Sequence, residues 1–249
     1  MDRTVFEAAE SGDLNRIKGL EHLDRLLMPE GNTVLHVAVW FDNKRFAEQA
    51  LRQCPSLLLK PNEGGETPLH AAAKNPDPEM ARLLLDFASR GDIESSDDQQ
   101  KTVLNCGCAM TTLLRARSAA KGDTALHVSV RHGHFAVAEL LIDADVRMLE
   151  MLNGAGESPL FLAVEGGFLD IARYIIIDKC RGFLGPRVFD GSHGMNALHA
   201  AVIRIHHGNF SSVRTFIFEL YITGLCVYVI AKKLILVIIF LWNECDICF

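Results

Sequence analysis

Four histidines at equivalent places in a repeated pattern are the first candidates for chemistry, because imidazole binds metal ions and transfers protons. They lie at least 34 residues apart, which is too wide for a shared ion in a linear array, and phenylalanine replaces the histidine in one copy. A metal ligand or a general base does not tolerate that change, whereas a packing position does. We therefore expect structural roles for His36, His70, His127 and His199.

The seven cysteines are irregularly spaced, so no disulfide framework is predicted, and a reducing compartment is favoured. Cys245 and Cys248 have the spacing of half a zinc site, and Cys106 and Cys108 form a second close pair. Zinc requires four ligands, and no two pairs stand at a convincing distance in the sequence. We predict neither a metal site nor a cofactor.

Catalytic function is not predicted either. The chain contains no G-x-x-x-x-G-K-[ST], G-x-S-x-G or H-E-x-x-H motif, and the carboxylates near expected helix boundaries are explained by capping and solvation. The formal net charge is −6, and the segment from residue 211 onwards is neutral, so the excess lies on the repeated part. An acidic surface disfavours direct nucleic-acid binding.

A six-residue phrase sets the organisation of the chain, since it occurs five times. Its glycines are 34, 57, 34 and 38 residues apart, and three intervals are close to the period of about 33 residues typical of ankyrin units. Such a period predicts a linear stack of modules in place of one closed globule. The five copies begin at Gly31, Gly65, Gly122, Gly156 and Gly194.

Each copy of the phrase predicts a turn followed by a helix. Glycine accepts the left-handed conformation of a turn, and the Thr, Ser or Asn two residues later is a preferred N-cap. Pro68 and Pro159 then occupy the first helical position, where a missing N–H costs nothing. Small residues follow, and a second segment has apolar residues at helical spacing, as at Met80, Leu83 and Leu84. The prediction is an all-α solenoid of helix-turn-helix units.

The start of the chain fits the same frame as a capping unit. Residues 4–9 align with residues 33–38, although the leucine-histidine pair is lost. Charged side chains suit a unit that covers one end of a stack and exposes its other face to solvent. They are Glu7, Glu10, Asp13 and Arg16.

The chain resembles the ankyrin-repeat proteins, whose T-P-L-H-x-A core is Thr67-Pro68-Leu69-His70-Ala71-Ala72 here. The copies at Gly122, Gly156 and Gly194 look like those of plant ankyrin-repeat membrane proteins of the accelerated-cell-death type. The resemblance covers about residues 1–208. It implies that the repeated histidines make structural hydrogen bonds near the turns, and that an ankyrin domain precedes a four-helix membrane domain with a Pro-Gly-Gly motif, with roles in defence or stress signalling. No Pro-Gly-Gly occurs in this chain.

The interval of 57 residues needs a separate explanation. Thr102 to Asn105 look like a decayed copy of the phrase, but the distance to Thr124 leaves no room for two helices and a turn. We therefore predict a loop insertion at about residues 88–121 within the ankyrin-repeat domain 1–208. Its polar, acidic stretch indicates solvation, and Leu113-Leu114-Arg115 resembles the approach to the next turn.

Residues 209–249 form an apolar tail in which 216–242 is interrupted by Glu219, Lys232 and Lys233. A transmembrane helix needs about 20 apolar residues, and a lysine near its centre costs about 2.5–3.5 kcal/mol. Three interpretations remain: one span with snorkelling lysines, a membrane-surface segment, or an aberrant end from a mis-spliced or misannotated gene. The last is favoured as the origin of the sequence. The residues themselves predict membrane association through 216–242 or aggregation.

The expected compartment follows from the first residues, which are charged and are not succeeded by the apolar region of a signal peptide. The repeats are expected to be cytoplasmic, with membrane association, at the plasma membrane, through the tail.

The leading functional hypothesis is a protein-interaction scaffold or adaptor, in plant defence or stress signalling as the resemblance implies. The alternative is the regulatory ankyrin domain of a membrane signalling or transport protein. Arrays of this kind bind proteins on a concave surface, through positions that vary between units. Trp40 is the best anchor candidate because tryptophan contributes strongly at interfaces; packing of Trp40 against a neighbouring unit is the alternative. The other candidates are Glu30, Asn62, Glu63, Glu66, Lys74, Arg131, Asn153, Glu157 and Glu165.

Overall fold

The computed structural model describes residues 3–17, 23–90, 106–179 and 185–206, and within these ranges the chain is helical without an extended strand. The α-helices are α1 Arg3–Ser11, α2 Val34–Trp40, α3 Lys44–Gln53, α4 Pro68–Ala73, α5 Glu79–Arg90, α6 Cys106–Arg115, α7 Ala125–Arg131, α8 Phe135–Ala144, α9 Pro159–Gly166, α10 Leu169–Arg173 and α11 Ala197–His206. A π-helical segment, Tyr174–Lys179, extends α10. Short 3-10 turns are Leu14–Arg16, Leu23–Arg25, Pro29–Gly31, Pro55–Leu58, Val146–Glu150, Pro186–Phe189 and Ser192–Gly194.

The helices stack as antiparallel pairs in a line, as the sequence predicts. We call α2, α4, α7, α9 and α11 the inner helices; each packs against the next, and α1 packs on α2. The outer helices α3, α5, α8 and α10 pack each on its own inner helix. One continuous core runs through these layers, and its small residues, such as Ala71, Ala72 and Ala73, let neighbouring helices approach closely. No single unit could bury both of its faces alone.

The turns before the inner helices lie close to one another. The backbone N–H of Glu63 donates to the carbonyl of Glu30 at 2.9 Å, and that of Ala119 donates to Gly64 at 2.7 Å. Gly65 has a positive φ of 71°, and a Cβ there would lie 2.8 Å from the backbone nitrogen of Ala119. Glycine is therefore required both for the left-handed turn and for the close approach of the next turn.

Histidines join successive units. The backbone N–H of Thr33 donates to Nδ1 of His36 at 3.2 Å, so Nδ1 carries no proton and the neutral ring is protonated at Nε2. Nε2 then donates to the carbonyl of Glu66 in the following turn at 2.9 Å. His70 makes the same contact with the carbonyl of Asp123 at 3.1 Å. Each ring therefore caps its own helix and links it to the next unit, which confirms the structural role.

These imidazoles are buried in a neutral form. Desolvation lowers the pKa of His36 and of His127 to about 4, and it also lowers the pKa of His70; hydrogen bonds from the rings to backbone carbonyls only partly oppose it. Protonation would place a second N–H against the backbone N–H that Nδ1 accepts. The charged ring is therefore incompatible with the observed network.

The unit with Phe161 is joined to the next unit without a histidine. The backbone N–H of Ser158 has no imidazole to donate to and instead donates to the carbonyl of Asp190 at 2.9 Å. The hydroxyl of Ser158 donates to the carbonyl of Val188 at 2.7 Å. The ring of Phe161 is fully buried and lies against Gly191, where a Cβ would approach the ring to 2.1 Å. A serine and a glycine thus accommodate the phenylalanine.

The prediction of a loop at 88–121 is wrong for part of that range. Residues 88–90 belong to α5, and α6 occupies 106–115 and packs against α5. Leu113 and Leu114 in its last turn are fully buried, where Leu57 and Leu58 lie in the preceding unit. This apolar pair lies at the end of a helix, before the next turn. Residues 91–105 lie outside the described ranges.

The capping unit aligns one residue away from the predicted register. The N–H of Asp13 donates to the carbonyl of Ala8 at 3.0 Å, and that of Asn43 donates to Ala38 at 2.8 Å. Ala8 is therefore equivalent to Ala38, and not to Val37 as the pattern of residues 4–9 suggested. The turn that ends the inner helix fixes the register.

None of the helices in the described part of the chain is long and apolar enough to cross a membrane. The predicted segment 216–242, with the rest of the tail from residue 209, lies outside the described residues.

The buried histidines make stability depend on pH. Because their pKa values in the folded chain lie below about 6.5, the value of an unfolded histidine, the unfolded state binds more protons between pH 6.5 and 4. The stabilisation is complete above pH 6.5 and is lost as the pH falls towards 4. A shift of this size corresponds to on the order of 3 kcal/mol each for His36 and His127. Urea unfolding at pH 7, 5.5 and 4.5 measures the loss.

A direct measurement of the rings separates the histidines from titrating carboxylates. Nitrogen chemical shifts should show His36 and His127 as neutral Nε2–H rings at pH 5.5. Protonated rings in a folded chain at that pH would contradict the prediction.

Gly191→Ala should lower the free energy of unfolding by about 1–3 kcal/mol, because the added methyl group overpacks against Phe161. In a Phe161→Leu background the same change should cost at least about 1 kcal/mol less. Gly185→Ala is the matched control, since its Cβ would meet only the flexible carboxylate of Glu150, at 3.1 Å. Equal costs of Gly191→Ala in both backgrounds, measured by chemical denaturation, would show that the ring does not require this glycine.

Candidate partner-binding surface

Two rows of side chains run along the inner helices and their turns. The turn row is the second residue of each phrase, and the helix-end row lies eight positions later, at the end or in the last turns of each inner helix. The turn row is Asn32, Glu66, Asp123, Glu157 and Met195. The helix-end row is Trp40, Lys74, Arg131, Glu165 and Ile203.

An exposed aromatic pair begins the helix-end row. Trp40 is 47% exposed and therefore does not belong to the buried core. Phe41 is 45% exposed, and its ring contacts Phe6 edge to face with 6.3 Å between the ring centroids. Trp40 therefore combines a large accessible apolar area with a rigid helix beneath it, which is what an interface anchor needs.

Ion pairs connect the two rows in the middle of the array. Both carboxylate oxygens of Glu66 accept from Lys74 Nζ at 2.8 Å. One unit further on, Arg131 Nη2 lies 3.3 Å from Asp123 and 3.5 Å from Glu157. Glu66, Lys74, Arg131 and Glu157 are thus brought together in pairs across the surface. Pairs of this kind add little to stability where water reaches them, but they fix where the charges stand.

Asn153 belongs to the turn and not to the partner surface, which corrects the sequence prediction. The residue is only 6% exposed. Its Nδ2 donates to Asp123 and to Glu157, each at 2.9 Å, and its Oδ1 accepts from the backbone N–H groups of Ala155 and Glu157 at 3.0 Å. Because the amide of Asn153 makes its hydrogen bonds within the turns, it is not available to a partner.

The remaining candidates lie at the turns. Asn62 is half-buried; its Nδ2 donates to Asn32 at 2.8 Å, and its Oδ1 accepts from the N–H of Glu66 at 2.9 Å. Glu30 and Glu63 are exposed, and their backbones join adjacent turns. Asn62 is therefore chiefly structural, whereas the two glutamates present carboxylates to solvent.

Ile203 and Phe41 were not predicted from the sequence. Ile203 is 47% exposed and follows its cap residue, Asn196, by the same seven positions that separate Thr33 from Trp40. That offset was a usable signal. Phe41 is the residue after Trp40, and the sequence offered no signal for its exposure.

No group of His, Cys, Asp and Glu residues within the described ranges is arranged to hold a metal ion. The structure does not describe the side chains of Cys106 and Cys108, nor the residues Cys245 and Cys248.

Stacked helix pairs with a glycine turn, a capping residue and a bridging histidine define a helical repeat protein. The family described as ankyrin repeats, in three copies, matches residues 5–97 and 35–182. These matches cover more than half of the sequence, so the chain belongs to the ankyrin-repeat family. Repeats of this family are in general interaction modules without a catalytic centre.

Curated relatives match much of the repeated part of this chain, and each relative is much longer than the part that matches. The chain is 24% identical over 182 residues to Protein ACCELERATED CELL DEATH 6 of Arabidopsis thaliana, which covers 71% of this chain and 26% of the relative. It is 29% identical over 156 residues to NF-kappa-B inhibitor alpha of Homo sapiens, 53% of this chain and 48% of the relative. It is 28% identical over 190 residues to the Transient receptor potential cation channel subfamily A member 1 homolog of Caenorhabditis elegans, 76% of this chain and 13% of the relative. The chain thus spans half or less of the length of these relatives.

Asn153→Ala should lower the free energy of unfolding by about 1–3 kcal/mol, because it leaves two carboxylates and two backbone N–H groups without their buried partner. Glu63→Ala at an exposed turn position is the control and should change it by less than about 0.5 kcal/mol. Denaturant unfolding at pH 7 measures both. An Asn153→Ala variant as stable as the control would show that the amide is dispensable to the turn.

Proposed function

We propose that this chain is a protein-interaction scaffold or adaptor whose partner binds on the concave surface formed by the turn row and the helix-end row. The observation that carries the proposal is the exposed Trp40 at the end of a short, fully buried helix. An aromatic side chain of this size that remains 47% accessible beside a second exposed aromatic is an apolar patch that favours a partner.

The mixed character of the surface also supports protein binding. It combines apolar ends with fixed ion pairs, as protein interfaces commonly combine an apolar anchor with polar contacts that set orientation. Variation from unit to unit lies in these rows, whereas the turn glycines and most of the bridging histidines repeat. The repeated residues build the array, and the variable residues supply specificity.

A role in plant defence or stress signalling is part of this proposal. Its support is the similarity to Protein ACCELERATED CELL DEATH 6 of Arabidopsis thaliana over 71% of the chain. We also propose a cytoplasmic location for the repeats, because their irregularly spaced cysteines favour a reducing compartment.

A second candidate function is that of a regulatory ankyrin domain attached to a membrane protein. The apolar composition of residues 216–242 favours it, and one relative is by its name a cation channel. In this case residues 211–249 should hold the chain at a membrane, at the plasma membrane in our proposal. Fractionation of cells that express the full chain or residues 1–210 tests this, because equal amounts in the soluble fraction would contradict membrane association.

Trp40→Ser should weaken the binding of the partner by about 2 kcal/mol or more, which is roughly a 30-fold change in affinity. Thermal stability should be nearly unchanged, since Trp40 is about half exposed and is not part of the buried core. Phe135→Ser is the matched control, because Phe135 is an exposed aromatic residue on the outer helix α8. Affinity capture with the full chain, followed by identification and quantification of the retained proteins, compares the three forms.

Loss of the same proteins with both variants would show that capture depends on exposed aromatic area in general. A Trp40→Ser chain that melts at a lower temperature than the wild type would place Trp40 in the fold and would contradict the anchor role.

A further inference from the structure

The two rows carry a charge pattern that is uneven along the array. The unit of Glu66 and Lys74 is neutral, and so is the unit of Asp123 and Arg131. In the next unit both positions are acidic, Glu157 and Glu165. The ion pair between Arg131 and Glu157 does not alter this balance, because these two units together carry three carboxylates and one guanidinium group, which contacts Asp123 and Glu157.

At both ends of the array the positions in the two rows are uncharged, and the helix-end row presents apolar side chains there. Trp40 follows Asn32 at one end, and Ile203 follows Met195 at the other, each 47% exposed. In order along the array, the row positions of the five units are therefore apolar, neutral, neutral, doubly negative and apolar. A partner that matches it needs an apolar group at each end and positive charge near one of them.

The stacking fixes the distances between these features. Successive inner helices contact one another throughout, and α4 packs directly on α7 in spite of the long interval between them. Packed helices lie about 8–10 Å apart, so the three steps from Trp40 to Glu165 span about 27 Å. An extended peptide rises about 3.3 Å per residue and covers that span with about eight residues. One further step leads to Ile203 and corresponds to about three residues.

We propose that this surface binds an extended peptide with an apolar side chain on Trp40, a lysine or arginine about eight residues away beside Glu157 and Glu165, and a second apolar side chain on Ile203 about three residues further on. The proposal rests on the proposed function, because it specifies the chemistry of the partner on the same surface. A basic side chain there would lie against Glu157, whose carboxylate is already positioned by Asn153 and Arg131. Little conformational entropy is then lost when the positive charge arrives.

Selection of random 20-residue peptides on the immobilised full chain tests the proposal. We expect enrichment of sequences with an apolar residue and a lysine or arginine about eight positions apart. Glu165→Lys should weaken a selected peptide at least tenfold, and the same peptide with its basic residue changed to glutamate should regain affinity on that variant. Asp86→Lys on the outer helix α5 makes the same change in net charge on the other layer and should alter affinity less than twofold.

The outcomes separate this inference from the proposed function. Enriched peptides that lose binding on Trp40→Ser but are acidic or have no charge preference would overturn the inference and leave the scaffold proposal intact. A spacing of about 18 residues, as expected of a helix, would overturn the extended conformation. Binding that is insensitive to Trp40→Ser, or no enrichment at all, would count against both. An equal effect of Glu165→Lys and Asp86→Lys would show only long-range attraction and would also overturn the inference.

Discussion

A neutral imidazole at the junction between units is the interaction on which this array depends. One ring nitrogen accepts from the backbone at the start of its own helix, and the other donates to a carbonyl of the next turn. These bonds tie the two units in a fixed relation because a side chain as rigid as imidazole cannot bridge them at another spacing. Burial of the ring keeps it uncharged, so the same environment that makes the bonds strong also makes them sensitive to protonation.

The junction at Phe161 shows that the spacing matters more than the residue type. There the serine at the cap donates to the following segment, and the backbone N–H that imidazole would have accepted finds a carbonyl of that segment instead. The phenyl ring fills the volume of the lost polar link, which is compatible only with glycine opposite it. Apolar packing and two hydrogen bonds together replace one bridging side chain, and the inner helices α9 and α11 remain in contact.

Much of this architecture could be predicted from the sequence because its signals are local. Glycine turns, cap residues and the apolar periodicity of the second helices act within about ten residues, and the structure confirms them. The helix α6 could not be predicted in the same way, since its composition, with Gly107 and adjacent threonines, has weak helical preference and its order comes from packing of Leu113 and Leu114. Sequence also could not separate Asn153 from its exposed neighbours. Variation between units looks alike whether it serves a buried network or a partner, and only burial distinguishes the two.

The long interval between the second and third phrases is accommodated by the outer layer. The helices that flank residues 91–105 pack against each other on that layer, while the inner helices α4 and α7 remain in direct contact. The free-energy cost of bringing two packed helices together rises only as the logarithm of the number of residues inserted between them. New sequence added between α5 and α6, such as a reporter or a second recognition element, can therefore leave the spacing of the inner helices unchanged.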